Sequence, residues 1–192
     1  MHFAESGADS PSREDLIAEL AGYRARDPRE TKMSDTLLRF IRSEPRCFER
    51  SLEQGHVTGS AWIVDRELRR TLLTHHRKLG KWLQLGGHAD GDADIRRVAL
   101  REAREESGLT HVVPAQSEIY DVDIHEIPAR GREPAHFHYD VRFAFFADPA
   151  EALQLSDESH ALAWVRLAEV RALGADESVL RLVAKTPQLG SR

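Results

Sequence analysis

Glu102, Glu105 and Glu106 recur at i, i+3 and i+4, a spacing that stacks three carboxylates on one patch of a helix. Like charges so placed destabilise a helix by roughly a few tenths of a kcal/mol per pair unless a cation neutralises them. Hard divalent cations such as magnesium take oxygen ligands of this kind, so the segment reads as a metal site. The competing reading is a solvated, salt-bridged acidic surface. Angular placement argues against it. At roughly 100° per residue, Ile95, Val98 and Ala99 form an apolar stripe that runs on through Glu102, Glu106 and Leu109. Arg96, Arg97 and Arg104 project from the opposite side, with Arg101 near the boundary. Acids on a core-facing stripe are costly unless something offsets their charge.

The surrounding residues, GGHADGDADIRRVALREAREESGL over 86–109, resemble the Nudix box. That pattern is a glycine, five residues, a glutamate, seven residues, then Arg-Glu-apolar-x-Glu-Glu-x-Gly-apolar. Gly87 supplies the first glycine, and Arg101, Glu102, Ala103, Glu105, Glu106, Gly108 and Leu109 supply the tail, so eight of nine specified positions match. The departure is Ala93, which stands where the first glutamate belongs. In the family that glutamate often pairs with the arginine, and here Asp92 or Asp94 is expected to pair with Arg101 instead. The resemblance extends to HHRKLGKWLQLGGH, to HFHYDVRFAF and to ESHALAWVRLAEV, covers about residues 50 to 185, and is nearest a bacterial subgroup of largely unassigned substrate.

The resemblance implies hydrolysis of a diphosphate linked to another moiety, commonly in a nucleoside diphosphate derivative. It implies Mg2+, with Mn2+ satisfying the same ligands, held by Glu102, Glu105 and Glu106 and by the carbonyl of Gly87. Glu102 could instead, or also, orient the attacking water. Arg101 is expected to fix the box by pairing, and Gly108 to end the helix in left-handed geometry. Glu158, in a Ser-Asp-Glu-Ser loop, is a further catalytic candidate, against the plain reading of an exposed loop acid. The partner is then a small diphosphate molecule, and a homodimer is compatible with it.

Ten histidines are a second signal. They cluster at His75 and His76, His88, His125, and His136 and His138. Residues two apart on a strand face the same side, so His136, His138 and Asp140 form one row. Transition-metal ligation, substrate contact and hydrogen bonding within a sheet all suit that row. His88, next to Gly87, is the histidine best placed to approach phosphates, and Arg77, Lys78 and Lys81 could add positive charge. Trp82 and Tyr139 are candidate base-stacking rings or core aromatics.

The elements that must position these groups follow from punctuation and periodicity. Ser10-Pro11 predicts a helix start, with Leu16, Ile17 and Leu20 on one face; Asp27-Pro28 breaks that helix, and a second runs from about Glu30 to Pro45. Residues 56–65 and 69–76 read as adjacent strands, and 81–84 as a short strand entering a Gly86-Gly87 turn. Two long strands are expected over 117–127 and 138–147, a short one at Trp164-Val165, and closing helices over 167–173 and 177–184. The sum is an α/β protein, a three-layer α/β/α sandwich on a mixed sheet, which is also the Nudix fold. A tail and N-terminal helical extension, 1–48, is expected to pack on a hydrolase domain, 49–192.

Composition is compatible with this and adds limits. A chain of 192 residues with net charge −5 and no basic block argues against nonspecific nucleic-acid binding. One cysteine, Cys47, rules out an intramolecular disulfide framework and reads as a small buried residue. No signal-peptide pattern and no membrane-length apolar run are present, so no membrane partner is expected and the cytoplasm is the default location. The alternative function is a catalytically weak or inactive Nudix domain serving as a nucleotide-binding regulatory module, favoured only by Ala93. Isopentenyl-diphosphate isomerase shares the fold but needs a cysteine near the metal, whereas Cys47 lies well before the box.

Overall fold

A computed structural model describes residues 11–131, 134–157 and 159–190. Helix α1 (Arg13–Ala21) starts at Ser12, not Ser10: Ser12 and Asp15 cap each other's backbone N–H groups in a reciprocal box. Helix α2 (Pro28–Ser43) is opened by Asp27, with Pro28 in the first turn, where a missing N–H costs nothing. Then come strands β1 (Gly55–Val64), β2 (Arg70–His76), β3 (Lys81–Leu83) and β4 (Leu85–His88). The box helix α3 (Ile95–Ser107) follows, then β5 (Val113–Pro114), β6 (Asp121–Ile127), β7 (His136–Phe146) and β8 (Ser159–Arg166). A 3-10 helix (Leu167–Leu173), helix α4 (Glu177–Lys185) and a second 3-10 helix (Thr186–Gly190) close the chain.

The centre of the sheet is the parallel pair β1 and β7, in register from Gly55↔Phe137 to Val64↔Phe146. Along its other edge β1 pairs antiparallel with β4 over Thr58–Ala61 and with β2 at Val64. β7 likewise takes β6 and then β5, while β2 carries β3 and β8. The sheet is therefore mixed, as expected. Alternation along β1 separates two faces. Val57, Ala61 and Ile63 join α1, α2 and α3 in one core, and Trp62 and Val64 join Val179, Leu182 and Leu189 in the other. Helices cover both faces, the α/β/α sandwich. α2 reaches β7 through Phe40, whose ring stacks on Tyr139 at 3.9 Å. Among the described residues no helix is long and apolar enough to cross a membrane.

Several boundaries differ from expectation. Gly86 and Gly87 lie inside β4 instead of forming a turn, because the ladder to Ser60 and Gly59 of β1 continues through them. Residues 117–120 stay outside β6, where Tyr120 turns its hydroxyl to the Leu182 carbonyl at 2.7 Å. β8 is longer than Trp164-Val165 because β2 pairs with it along most of its length. The segment 167–173 is 3-10 instead of α. The two-residue strand β5 carries too short a pattern to be read from sequence.

Candidate active site and a histidine cluster

Helix α3 is held at both ends. Asp94 caps its start by accepting from the Arg97 N–H at 3.0 Å, and Gly108 ends it at φ 72°, the left-handed geometry expected there. Its seat on β1 depends on Gly59, where a Cβ would lie 2.9 Å from the Ile95 carbonyl and 3.0 Å from Val98. Gly87 does the same for the functional end of the helix. A Cβ there would stand 2.6 Å from both Cδ and Oε2 of Glu102, so a side chain at position 87 would displace that carboxylate from its contact with β4.

Glu102 is largely buried and accepts from Arg101 at 2.7 Å. The same guanidinium donates to the His88 carbonyl at 3.0 Å, tying helix to strand. Asp92 and Asp94 do not take Arg101, contrary to expectation. They hold Arg97 instead, Asp92 at 2.7 Å and Asp94 at 3.9 Å, because Arg97 sits one turn nearer the loop. Ala93 packs against the apolar core. Glu105 is outermost, 64% exposed and 4.0 Å from Arg101, and Glu106 is half-buried. The three carboxylates do not reach the mutual closeness of a finished ligand set. Their chemistry nevertheless suits a hard divalent cation: oxygen donors on one helix face, beside a strand backbone approachable at glycine.

His88, one residue on from Gly87, points to the opposite face of the sheet. There the predicted His136 and His138 row meets it, and His125 joins from β6. The structure adds His56 at the centre, with ring centroids 5.0 Å from His88, 5.1 Å from His136 and 4.9 Å from His138. His125 lies 5.5 Å from His138 and contacts Asp123 at 3.2 Å. Burial, then its histidine neighbours, pushes His56 protonation down to about 4. Burial, followed by His125, His56, His88 and His136, pushes His138 to about 2. Both rings are neutral at neutral pH. His75 and His76 stand apart from the group: His75 neighbours Trp82 and His160, and His76 accepts from the Lys78 N–H.

Asp140 continues the row as the acceptor of hydroxyls from Thr58 at 2.9 Å and Ser60 at 2.8 Å, and pairs with Arg142 at 2.7 Å. Arg77 is exposed and donates to the Ser159 carbonyl at 3.3 Å, without joining the histidines. Tyr139 faces α2 through its Phe40 stack, and Trp82 packs at the second core. Cys47 is fully buried, with burial pushing its thiol up to about 11. Glu158 lies outside the described residues.

A family model described as the NUDIX domain matches residues 55–185. The chain belongs to the Nudix family. It is a Nudix hydrolase, of the class that splits pyrophosphate linkages. No curated protein matches it. Among solved structures it is similar to the MutT protein from Methanosarcina mazei Go1, at 18% identity, TM-score 0.57, with 73% of this chain and 99% of that one covered. It is also similar to the Nudix hydrolase RenU from M. smegmatis, at 17% identity and TM-score 0.52, covering 71% of this chain and 87% of that one. A C. elegans Ap4A hydrolase binary complex aligns at 15% identity and TM-score 0.50, covering 70% and 97%. These identities speak to the fold.

His56 is the member of the histidine cluster that the sequence pattern did not single out. A period-2 signal was available, since His56, Thr58 and Ser60 interrupt an otherwise apolar strand at alternate positions. Its meeting with His138 required knowing that β1 and β7 are parallel neighbours.

Proposed function

We propose that this Nudix hydrolase cleaves a diphosphate linkage in a small nucleoside-diphosphate-linked or related molecule, with Mg2+ as cofactor and Mn2+ able to replace it. The observation that carries this reading is the Glu102 carboxylate pressed against the Gly87 backbone, with Arg101 joining both segments. In this reading Glu102, Glu105, Glu106 and the Gly87 carbonyl hold the cation. A cation so held neutralises pyrophosphate charge and makes water nucleophilic near neutral pH. Arg101 keeps the helix at a fixed distance from β4, and one of the glutamates orients the attacking water. On sequence grounds alone His88, His136, His138 and Arg77 are candidate substrate contacts and Glu158 an additional acid; the histidines lie on the sheet face opposite the glutamates. We place the enzyme in the cytoplasm.

The test is a hydrolysis panel of nucleoside diphosphate sugars, dinucleoside polyphosphates, nucleoside triphosphates and non-nucleotide diphosphates, with and without Mg2+ or Mn2+. Metal-dependent turnover that falls by about 10²–10⁴-fold in Glu105→Gln/Glu106→Gln, with the fold intact by circular dichroism, supports the reading. Nucleotide binding without turnover across the panel would replace it with the regulatory module.

A further inference from the structure

We propose that His56, His136 and His138 form a transition-metal site, separate from the glutamates of the box and suited to Zn2+. Among the described residues these three are the histidine, cysteine or acidic side chains whose ligand atoms gather, all within 4.8 Å of one another. His136 Nε2 and His138 Nε2 are 3.3 Å apart, an N–H···N hydrogen bond when His138 carries its proton there and a contact that an ion would replace. Nitrogens bound to a tetrahedral zinc at about 2.0–2.1 Å lie about 3.3–3.4 Å from each other, so this pair already has the edge length of such a site.

The second observation is His56 itself. It is 2% exposed, and neither ring nitrogen makes a hydrogen bond of good geometry, although the Leu52 backbone carbonyl is near enough to favour an N–H on one of them and leave the other as a lone pair. A neutral imidazole has one N–H and one lone pair, and a lone pair buried with no donor facing it is costly. An ion on its lone pair removes part of that cost. The third observation concerns proton placement. His136 Nδ1 lies 3.0 Å from the Pro134 carbonyl, which can only accept. The proton therefore sits on Nδ1, and the Nε2 lone pair faces His138. A carbonyl behind a ligating histidine orients it and fixes its tautomer in just this way.

The scaffold and donor type agree. His56 pairs directly with His138 in the parallel ladder, and His136 is two residues along the same strand, so strands instead of loops hold all three. Three imidazoles select zinc, copper or nickel over magnesium, whereas the oxygen donors across the sheet do the reverse. The fourth position is left to water or His88. An ion there cross-links β1 to β7 at the end of the polar face away from α4.

The experiment is calorimetric titration of Zn2+ alone into the chelator-stripped full chain, with Co2+ absorption as a geometric readout. We expect one equivalent bound with Kd below about 1 µM and tetrahedral Co2+ bands. His136→Ala/His138→Ala should weaken binding by more than the ~10–100-fold typical of losing a group behind a ligand. Glu105→Gln/Glu106→Gln should leave it intact, so failure here and failure of the hydrolase reading are separable. No saturable zinc binding, binding unchanged in the histidine variant, or binding lost with the glutamates overturns the site. If the histidine variant does not fold, X-ray absorption of the zinc-loaded wild type decides. Imidazole nitrogens at about 2.0–2.1 Å support the site, and oxygen-only coordination removes it.

Discussion

At the scale of single residues, the close approach at Gly87 is the sharpest determinant of the box. Gly87→Ala must push either the Glu102 carboxylate or β4 aside, because the added carbon would sit 2.6 Å from that carboxylate. A displacement of about 1 Å near a reacting centre costs on the order of 100-fold in rate. We therefore expect kcat/KM to fall about that far with little change in Tm. Activity within about twofold of wild type would show that Glu102 needs no fixed position. Arg101 tells a related story. With Ala93 in place of the usual glutamate, the guanidinium is anchored by the His88 carbonyl and by Glu102 itself. The helix thus remains tied to the strand after the loss of a carboxylate that the motif normally provides.

At the scale of elements, α3 sits flat on β1 because position 59 has no side chain. Gly59→Val inserts two methyl groups and a Cβ into a gap already closed by Ile95 and Val98. Overpacking of this kind costs about 1–3 kcal/mol. We expect urea denaturation to report that loss, with turnover falling in parallel because the whole helix carries its glutamates outward. Unchanged stability would mean that α3 can slide without penalty. The same element shows what was legible beforehand. α3, its stop at Gly108 and the facing of Glu102 followed from a 3.6-residue period and a glycine, both local. The Arg97 pairing of Asp92 and Asp94 did not follow, since choosing between Arg97 and Arg101 requires the path of the loop. Gly86 and Gly87 read as a turn because glycine pairs usually punctuate chains. In the fold, tertiary crowding from Ser60 and Glu102 is what demands them. His56 needed a contact across some eighty residues of sequence, which no local pattern carries.

At the scale of the whole molecule, a buried ionic layer joins the extension, the sheet and the closing helix. Arg142 is 2% exposed and reaches Asp121, Asp123 and Asp140; Arg181 and Lys185 of α4 also reach Asp121, and Lys185 pairs with Glu30 of α2. Removing one member of such a set strands its partners. Arg142→Met should therefore cost about 3–5 kcal/mol, measured as a shift in the denaturation midpoint. A loss below about 1 kcal/mol would show that the acids find other cations. The pH dependence has a definite sign. Burial works against charge on Asp121 and Asp123, but Arg181, Arg142 and their neighbours prevail and hold both carboxyls below the usual range. A depressed folded-state pKa stabilises above the unfolded value of about 3.9 and is lost as pH falls below it. Stability from this layer should be flat from neutrality to about pH 4 and decline beneath that. A decline confined to alkaline pH would contradict the assignment.

The alternation of Gly87 and His88 on one short strand has an evolutionary corollary. Neighbouring residues of β4 serve opposite faces, so a single-residue insertion or deletion within 85–88 exchanges their duties. It would present an imidazole to the box helix and an empty position to the histidines. Length changes in the turn between β2 and β3 leave this alternation in register, whereas within β4 only substitution preserves it. The carboxylate and imidazole groups are in that sense inherited as a linked pair, with four residues of reading frame as the lock.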